Sequence, residues 1–414
     1  MHQPRTLPQL HFIGLLLLAL LIRLIAMPIA LHTDARFTSD IIELNREAYR
    51  IYAGGLESLF YPPLFYLSLG VIQKVTFHSP PLFAQMPVQG TIAQVELLSH
   101  PAIFRTLMLL KIWYLLFDLG SVFLLWKLAH HRTAKVISLF WLFNPVIIYN
   151  AYLHGQFDIV PVFFVILALY SCKKARTSQG AFWMGIAACY KNFPFLFLLP
   201  LILVMAETWR KRLTLLLWGT LPYVVLLLPF LRYGSKASNY PNLFFKAGYD
   251  LGFGAQVYIF IVFYAVLLWY LYHRRANTFE DLWRACFAIL LVYYQLSYFD
   301  LHYWAWIIPF AALYWVERPA EAKLFYLVIG LCLLTLLAPT PLARFLAPIS
   351  PRFFLRLPSL LEILTPYLPM LFILNVVRSL LAGTCFYLAW HVLRDTPAAR
   401  KPELPATPEA ALAA

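Results

Sequence analysis

Charge is what this chain has least of. Only 13% of its 414 residues are Asp, Glu, Lys or Arg, where a soluble domain carries about a quarter. Acids are scarcest, 19 against 33 basic residues. The positions are 62% hydrophobic, and apolar runs of about twenty residues recur along the chain. This excludes a soluble globular fold and predicts an all-α polytopic membrane protein. The net charge of +14 does not point to nucleic acid. The basic residues fall in short clusters between apolar runs, which is the positive-inside pattern. Cysteines are few and scattered: Cys172, Cys189, Cys286, Cys332 and Cys385 are odd in number and form no C-x-x-C pair. That excludes a disulfide framework and a zinc site, and leaves small buried hydrophobes. P-loop, GxSxG, HExxH and Gly-rich nucleotide motifs are all missing, which argues against a soluble nucleotide as a substrate.

Hydropathy and loop charge predict about twelve transmembrane helices in a single membrane domain, residues 1–394, with both termini cytoplasmic. The run from 10 to 31 contains Arg23 and exceeds a signal-peptide core, so it reads as an uncleaved first span. Further spans are expected at 104–129, 136–150, 159–172, as two short helices within 180–206, at 213–231, and in a run ending near His273. The last four fall at 283–298, 303–316, 324–338 and 366–393, and residues 232–253 read as a polar loop. The tail, 395–414, is rich in Pro, Ala and Glu and reads as disordered and cytoplasmic.

What the chain does have is one long polar interruption, an outer loop over about 32–103. Its first half carries Asp34, Asp40, Glu43, Glu47 and Glu57, polarity that must face water. The apolar stretch 64–77 inside it is too short to span and predicts an interfacial helix. On this topology the unusual polar groups share the outer side: Asp40, Tyr61-Pro62-Pro63, His154 through Asp158, Lys191, Arg232 and His302-Tyr303. Such gathering is expected of an outward-facing site. Each also has a plainer reading. The loop can be merely solvated, Asp158 can cap a helix, Lys191 can snorkel to a headgroup, and His302 can join an interfacial belt. Lys111 and Asp118, seven apart inside the second span, are expected to pair with neighbouring helices.

These residues also resemble those of the GT-C fold glycosyltransferases, polytopic enzymes that use polyprenyl-phosphate sugars. The resemblance rests on Ser39-Asp40-Ile41 and Tyr61-Pro62-Pro63-Leu64 after a first span, and on Asn144-Pro145 followed by His154-Gly155-Gln156-Phe157-Asp158. Tyr190-Lys191 through Pro194 to Leu199-Pro200, and Leu301-His302-Tyr303-Trp304 through Pro309, complete it over about residues 10 to 310. The last hundred residues add nothing to it. It implies transfer of a hexose, mannose or glucose, from a polyprenyl-phosphate donor to a lipid, glycan or protein acceptor on the non-cytoplasmic face. Asp40 would be the general base. Lys191, Arg232 and His302 would hold the departing phosphate, and His154, Gln156 and Asp158 would bind sugar or acceptor. Asp40 is followed by Ile41-Ile42-Glu43 rather than a second Asp, so no metal ligand set is assigned and a divalent cation is left open. A prokaryotic plasma membrane fits the short loops. The competing classes are a transporter or flippase of lipid-linked sugars and a non-catalytic scaffold. Against both stands the first loop, long enough to house an acceptor.

Overall fold

The computed structural model describes residues 9–32, 61–75, 95–129 except 97, 133–231, 248–252, 255–274, 277–296, 301–318 and 342–394, with scattered positions between 324 and 334. Asp40, Arg232 and the tail 395–414 lie outside the described residues.

The described chain is almost wholly helical. In order come α1 Gln9–Ile29, α2 Pro63–Val75, α3 Ile103–Lys111, α4 Tyr114–Leu128, α5 Ala134–Leu142, α6 Pro145–Ile148 and a π-helix, Tyr149–His154. Then follow α7 Ile159–Lys173, α8 Thr177–Ala188, α9 Phe195–Met205 and α10 Trp209–Leu231. After a two-stranded hairpin (β1 Gly248–Gly252, β2 Ala255–Tyr258) come α11 Ile259–His273, α12 Phe279–Leu296, a 3-10 turn Leu301–Trp306 and α13 Ile308–Glu317. A second 3-10 turn, Leu342–Leu346, precedes α14 Pro351–Phe354, α15 Leu360–Leu364 and α16 Met370–Arg394.

Among the described residues, four helical stretches are long and apolar enough to cross a membrane: Leu10–Ile29, Ile103–Leu128, Trp209–Pro229 and Met370–Arg394. A fifth is the broken pair Ala134–Leu142 and Pro145–His154, bent by 44°. Large apolar side chains such as Leu217, Trp269, Leu371 and Trp390 stay exposed on the outside of the bundle, as lipid-facing residues do. The protein is thus an all-α membrane protein with one departure. Part of the expected polar loop 232–253, continuing to Tyr258, is an antiparallel hairpin with a bulge between Asp250 and Gly252. Glycine at the strand ends and β-favouring Tyr249, Val257 and Tyr258 outweigh a helical pattern there.

Two proline breaks interrupt the helices near the centre of the chain. Asn144 caps α6 by accepting from the Val146 amide at 3.0 Å, with Pro145 in the first helical position. A proline there cannot continue α5, so the chain bends. Between α8 and α9 the chain passes through Lys191-Asn192-Phe193-Pro194, again a proline-enforced break. In the middle of the bundle stands α12, whose residues from Asp281 to Tyr294 are all buried. A helix buried on every side belongs to the interior of a bundle; α9, α11 and α16 pack around it.

A fully buried ion pair joins α1 to this bundle. Arg23 Nε lies 2.6 Å from Asp118 Oδ2, both at 0% exposure. Asp118 also accepts from Trp141 Nε1 at 2.6 Å and from the Tyr152 hydroxyl at 2.6 Å. Arg23 further donates to the carbonyls of Ala19 and Leu142. Lys111, also fully buried, donates to the backbone carbonyls of Met27, Ala30 and Tyr152 at 3.1, 2.5 and 2.8 Å. Lys111 and Asp118 therefore do not pair with each other; each binds the neighbouring helices. Near the other end of the chain, the Ser359–Glu362 capping box closes the N-terminus of α15. The Ser359 amide and hydroxyl keep the Glu362 carboxyl below its usual pKa, with Arg344 adding to the effect.

Asp118→Ala leaves the Arg23 guanidinium buried without its countercharge and is expected to cost about 3–5 kcal/mol. Arg23→Met/Asp118→Leu together are expected to cost much less, as denaturant unfolding in detergent will read. Where α8 meets α10, a Cβ on Gly185 would lie 2.2 Å from the Gly219 carbonyl oxygen. Gly185→Ala is expected to lower stability by about 1–3 kcal/mol in the same assay, because backbone cannot yield as a flexible side chain does.

Candidate functional site

Four of the predicted site residues meet around Asp158. Asp158 stands at the N-terminal end of α7 but makes no side-chain cap bond to its own helix. Its carboxylate turns inward instead. Oδ1 accepts from Lys191 Nζ at 2.5 Å and from Trp306 Nε1 at 2.8 Å. Oδ2 accepts from Asn150 Nδ2 at 3.3 Å and lies 4.0 Å from His302 Nε2. Asn150 Nδ2 also donates to the His302 carbonyl at 2.9 Å, so one amide ties the π-helix to both α7 and the 3-10 turn.

The breaks in the helices make this meeting geometrically workable. The proline break after α8 lets Lys191 leave the helix and project into the cluster. There Lys191 is buried, at 7% exposure, with its ammonium enclosed by rings. It lies 4.7 Å from the centroid of Tyr303, 5.0 Å from Trp306, 5.3 Å from Phe157 and 5.7 Å from Tyr61. Ring faces attract a cation, more strongly when water is excluded. Phe193, also from the break, stacks on Trp306 at 3.6 Å. Tyr61 comes from within the long first loop, immediately before α2, so this part of the loop reaches the cluster.

The π-helix shapes the opposite wall. Its wider turn ends at Gly155, whose φ of 82° is left-handed, a conformation glycine adopts without a Cβ clash. The Gly155 and Gln156 amides both return to the Asn150 carbonyl, at 3.0 and 2.9 Å. Such π-turns often sit at functional sites. This one aims His154 at His302, with ring centroids 5.0 Å apart. The His32 ring lies 3.7 Å from the His154 ring, centroid to centroid. Phe345 packs near both, 5.1 Å from His32 and 6.4 Å from His154. The result is a row of three imidazoles leading to a carboxylate that is itself paired with an ammonium. Imidazoles beside a carboxylate can hold a proton or, once protonated, an anion. Among the described residues no group of three or more His, Cys, Asp or Glu is placed to hold a metal ion.

Asp158, Lys191, His302 and His154 are thus brought together, and Gln156 is buried beside them in the chain. Asp158 stands at the N-cap of α7, where the helix dipole favours an acid, but makes no side-chain cap bond; Lys191 is paired with it, and His302 is buried at 5% exposure. Asp40 and Arg232 lie outside the described residues. Sequence reasoning missed Asn150, Trp306, His32 and Phe345. Only Asn150 and Trp306 gave a usable signal, being polar or amphipathic residues within the segments that carry His154 and His302.

Helices of membrane-spanning length, together with a buried charged cluster built at the ends and breaks of other helices, mark an integral membrane protein with a buried polar site. The chain is 26% identical over 210 residues to GPI mannosyltransferase 1 of Trypanosoma brucei brucei, across 48% of this chain and 44% of that protein. It therefore matches less than half the length of that curated relative. No family model matches the chain, and no solved structure matches it.

Lys191→Met strands the Asp158 carboxylate in the interior and is expected to cost about 3–5 kcal/mol of stability. Adding Asp158→Asn should restore part of that loss. Strictly additive losses in the double-mutant cycle would show that the two groups do not depend on each other.

Proposed function

We propose that this protein is an integral membrane glycosyltransferase of the GT-C kind. It moves a hexose, most simply mannose, from a polyprenyl-phosphate sugar to an acceptor hydroxyl on the non-cytoplasmic face of a prokaryotic plasma membrane. The single observation that carries this reading is the enclosed Asp158–Lys191–His302–His154 cluster, together with the distant mannosyltransferase homology. Its placement adds support. The cluster stands at the N-terminal end of α7, while the basic Lys173 stands at the other end of that helix, as positive-inside charge predicts for an outward site. In this reading the shorter helices α7, α8, α9 and α11 to α13 also cross or enter the bilayer, and with the span expected at 324–338 the total is about twelve.

The chemistry asked of the protein is modest. The bond between the anomeric carbon and the phosphate oxygen breaks, and the polyprenyl phosphate departs with the electron pair. The acceptor oxygen forms the new bond to the anomeric carbon. Its proton passes to a carboxylate, which we assign to Asp40. The departing phosphate needs positive charge. Lys191 is already neutralised by Asp158, so the share falling to His154, His302 and Arg232 rises. Gln156 supplies an amide for a sugar or acceptor hydroxyl. The Asp158–Lys191 pair then acts mainly by holding the site's walls in register. The lipid tail of the donor lies between spans.

The test is transfer from radiolabelled polyprenyl-phosphate hexoses by purified protein, with Asp40→Asn beside the wild type. Labelled product is expected from the wild type. With Asp40→Asn it should fall by about 10²–10⁴-fold while donor binding persists. Full turnover in Asp40→Asn removes that residue from the base role. Labelled lipid crossing proteoliposomes with no product formed favours a transporter.

A further inference from the structure

We infer that Lys111 is a positioning residue of the site: it fastens the end of α1 to the π-helix and so sets His32 against His154, adding α1 to the sugar-transfer cluster. This inference rests on the sugar-transfer reading of that cluster. Lys111 is wholly buried, and its ammonium donates to three backbone oxygens. Two of them, Met27 and Ala30, lie at or just past the C-terminal end of α1, where carbonyls lack intrahelical partners and the helix dipole favours a cation. The third, Tyr152, belongs to the π-helix.

The register is what gives this fastening a consequence. His32 lies two residues beyond Ala30, and His154 lies two residues beyond Tyr152. One ammonium therefore grips both segments at the same remove from the two rings, whose centroids are 3.7 Å apart. Tyr152 is held at its other end too, since its hydroxyl donates to Asp118. The Tyr114 hydroxyl adds a bond to the Gly155 carbonyl at 3.0 Å. On the α1 side, the Leu31 amide donates to the Phe345 carbonyl at 2.8 Å. A residue merely filling the interior needs none of this coincidence, and an apolar side chain would fill it without the expense of burying a charge.

The experiment uses full-length protein in detergent or nanodiscs, with Lys111→Met, Lys111→Gln, Lys111→Arg and His32→Ala. Two readouts are taken beside the melting temperature. One is oxidative crosslinking of a Leu31→Cys/Phe345→Cys pair, which reports where the end of α1 sits. The other is kcat and KM for hexose transfer. Lys111→Met should lose most of the crosslink and about 10²-fold in kcat, with Lys111→Arg restoring both. His32→Ala should keep the fold and lose kcat to a similar extent. The inference is overturned if Lys111→Met lowers only the melting temperature, or if His32→Ala turns over like the wild type. If Lys111→Met does not fold, Lys111→Gln, which retains donors without charge, takes its place in the same comparison. If the wild type transfers no hexose, the sugar-transfer reading fails on its own, while the crosslink still upholds or overturns the fastening.

Discussion

A carboxylate and an ammonium shut away from water must stay together, and the bundle is arranged around that requirement. Asp158 comes from the N-cap of α7 and Lys191 from the break between α8 and α9. Separating them inside the protein would strand two charges, each costly to bury alone. Trp306 and Asn150 supply further donors to the carboxylate, and four rings enclose the ammonium. Together they meet the condition under which a buried pair is tolerated, which is that its remaining hydrogen-bonding capacity be met. The proline break that frees Lys191 and the π-turn that presents Asn150 and His154 are the backbone irregularities this arrangement requires.

A second polar centre supports the first. Arg23, Asp118, Trp141, Tyr152 and Lys111 bind α1 to α4, α5 and the π-helix. Tyr152 belongs to this centre, and its neighbours Asn150 and His154 belong to the site. The π-helix is therefore held from one side by structural charges and faces the candidate chemistry on the other.

Much of this was legible in the residues because some constraints are local. Apolar runs set the helices, Pro194 set the break between α8 and α9, and the short apolar stretch after Tyr61-Pro62-Pro63 formed the half-length helix α2, whereas the break at Pro145 falls inside a run, 136–150, that reads as one span. The gathering of His154, Asp158, Lys191 and His302 was legible through alternating topology. The pairing within it was not, because Asp158 and Lys191 are 33 residues apart and no periodicity relates them. Arg23 was visible only as an awkward charge in the first span, since its partner Asp118 lies 95 residues on. Phe345 gave no signal at all. It is an ordinary aromatic residue in a Pro- and Arg-containing segment, and only packing puts it beside His32 and His154. The hairpin at Gly248–Tyr258 was hidden because glycine-rich polar sequence reads equally well as loop.

The most direct test of a sugar-transfer site at the Asp158 cluster asks where the donor sits. A photoreactive polyprenyl-phosphate mannose, irradiated with the purified protein and followed by peptide mapping, reports this without depending on the acceptor. The expected result is labelling of the peptides carrying His154–Asp158, Lys191 and His302, competed by unmodified donor and lost in Asp158→Asn/Lys191→Met. Competed labelling confined to the far ends of the helices, near Lys173 or Arg210–Arg212, would contradict it.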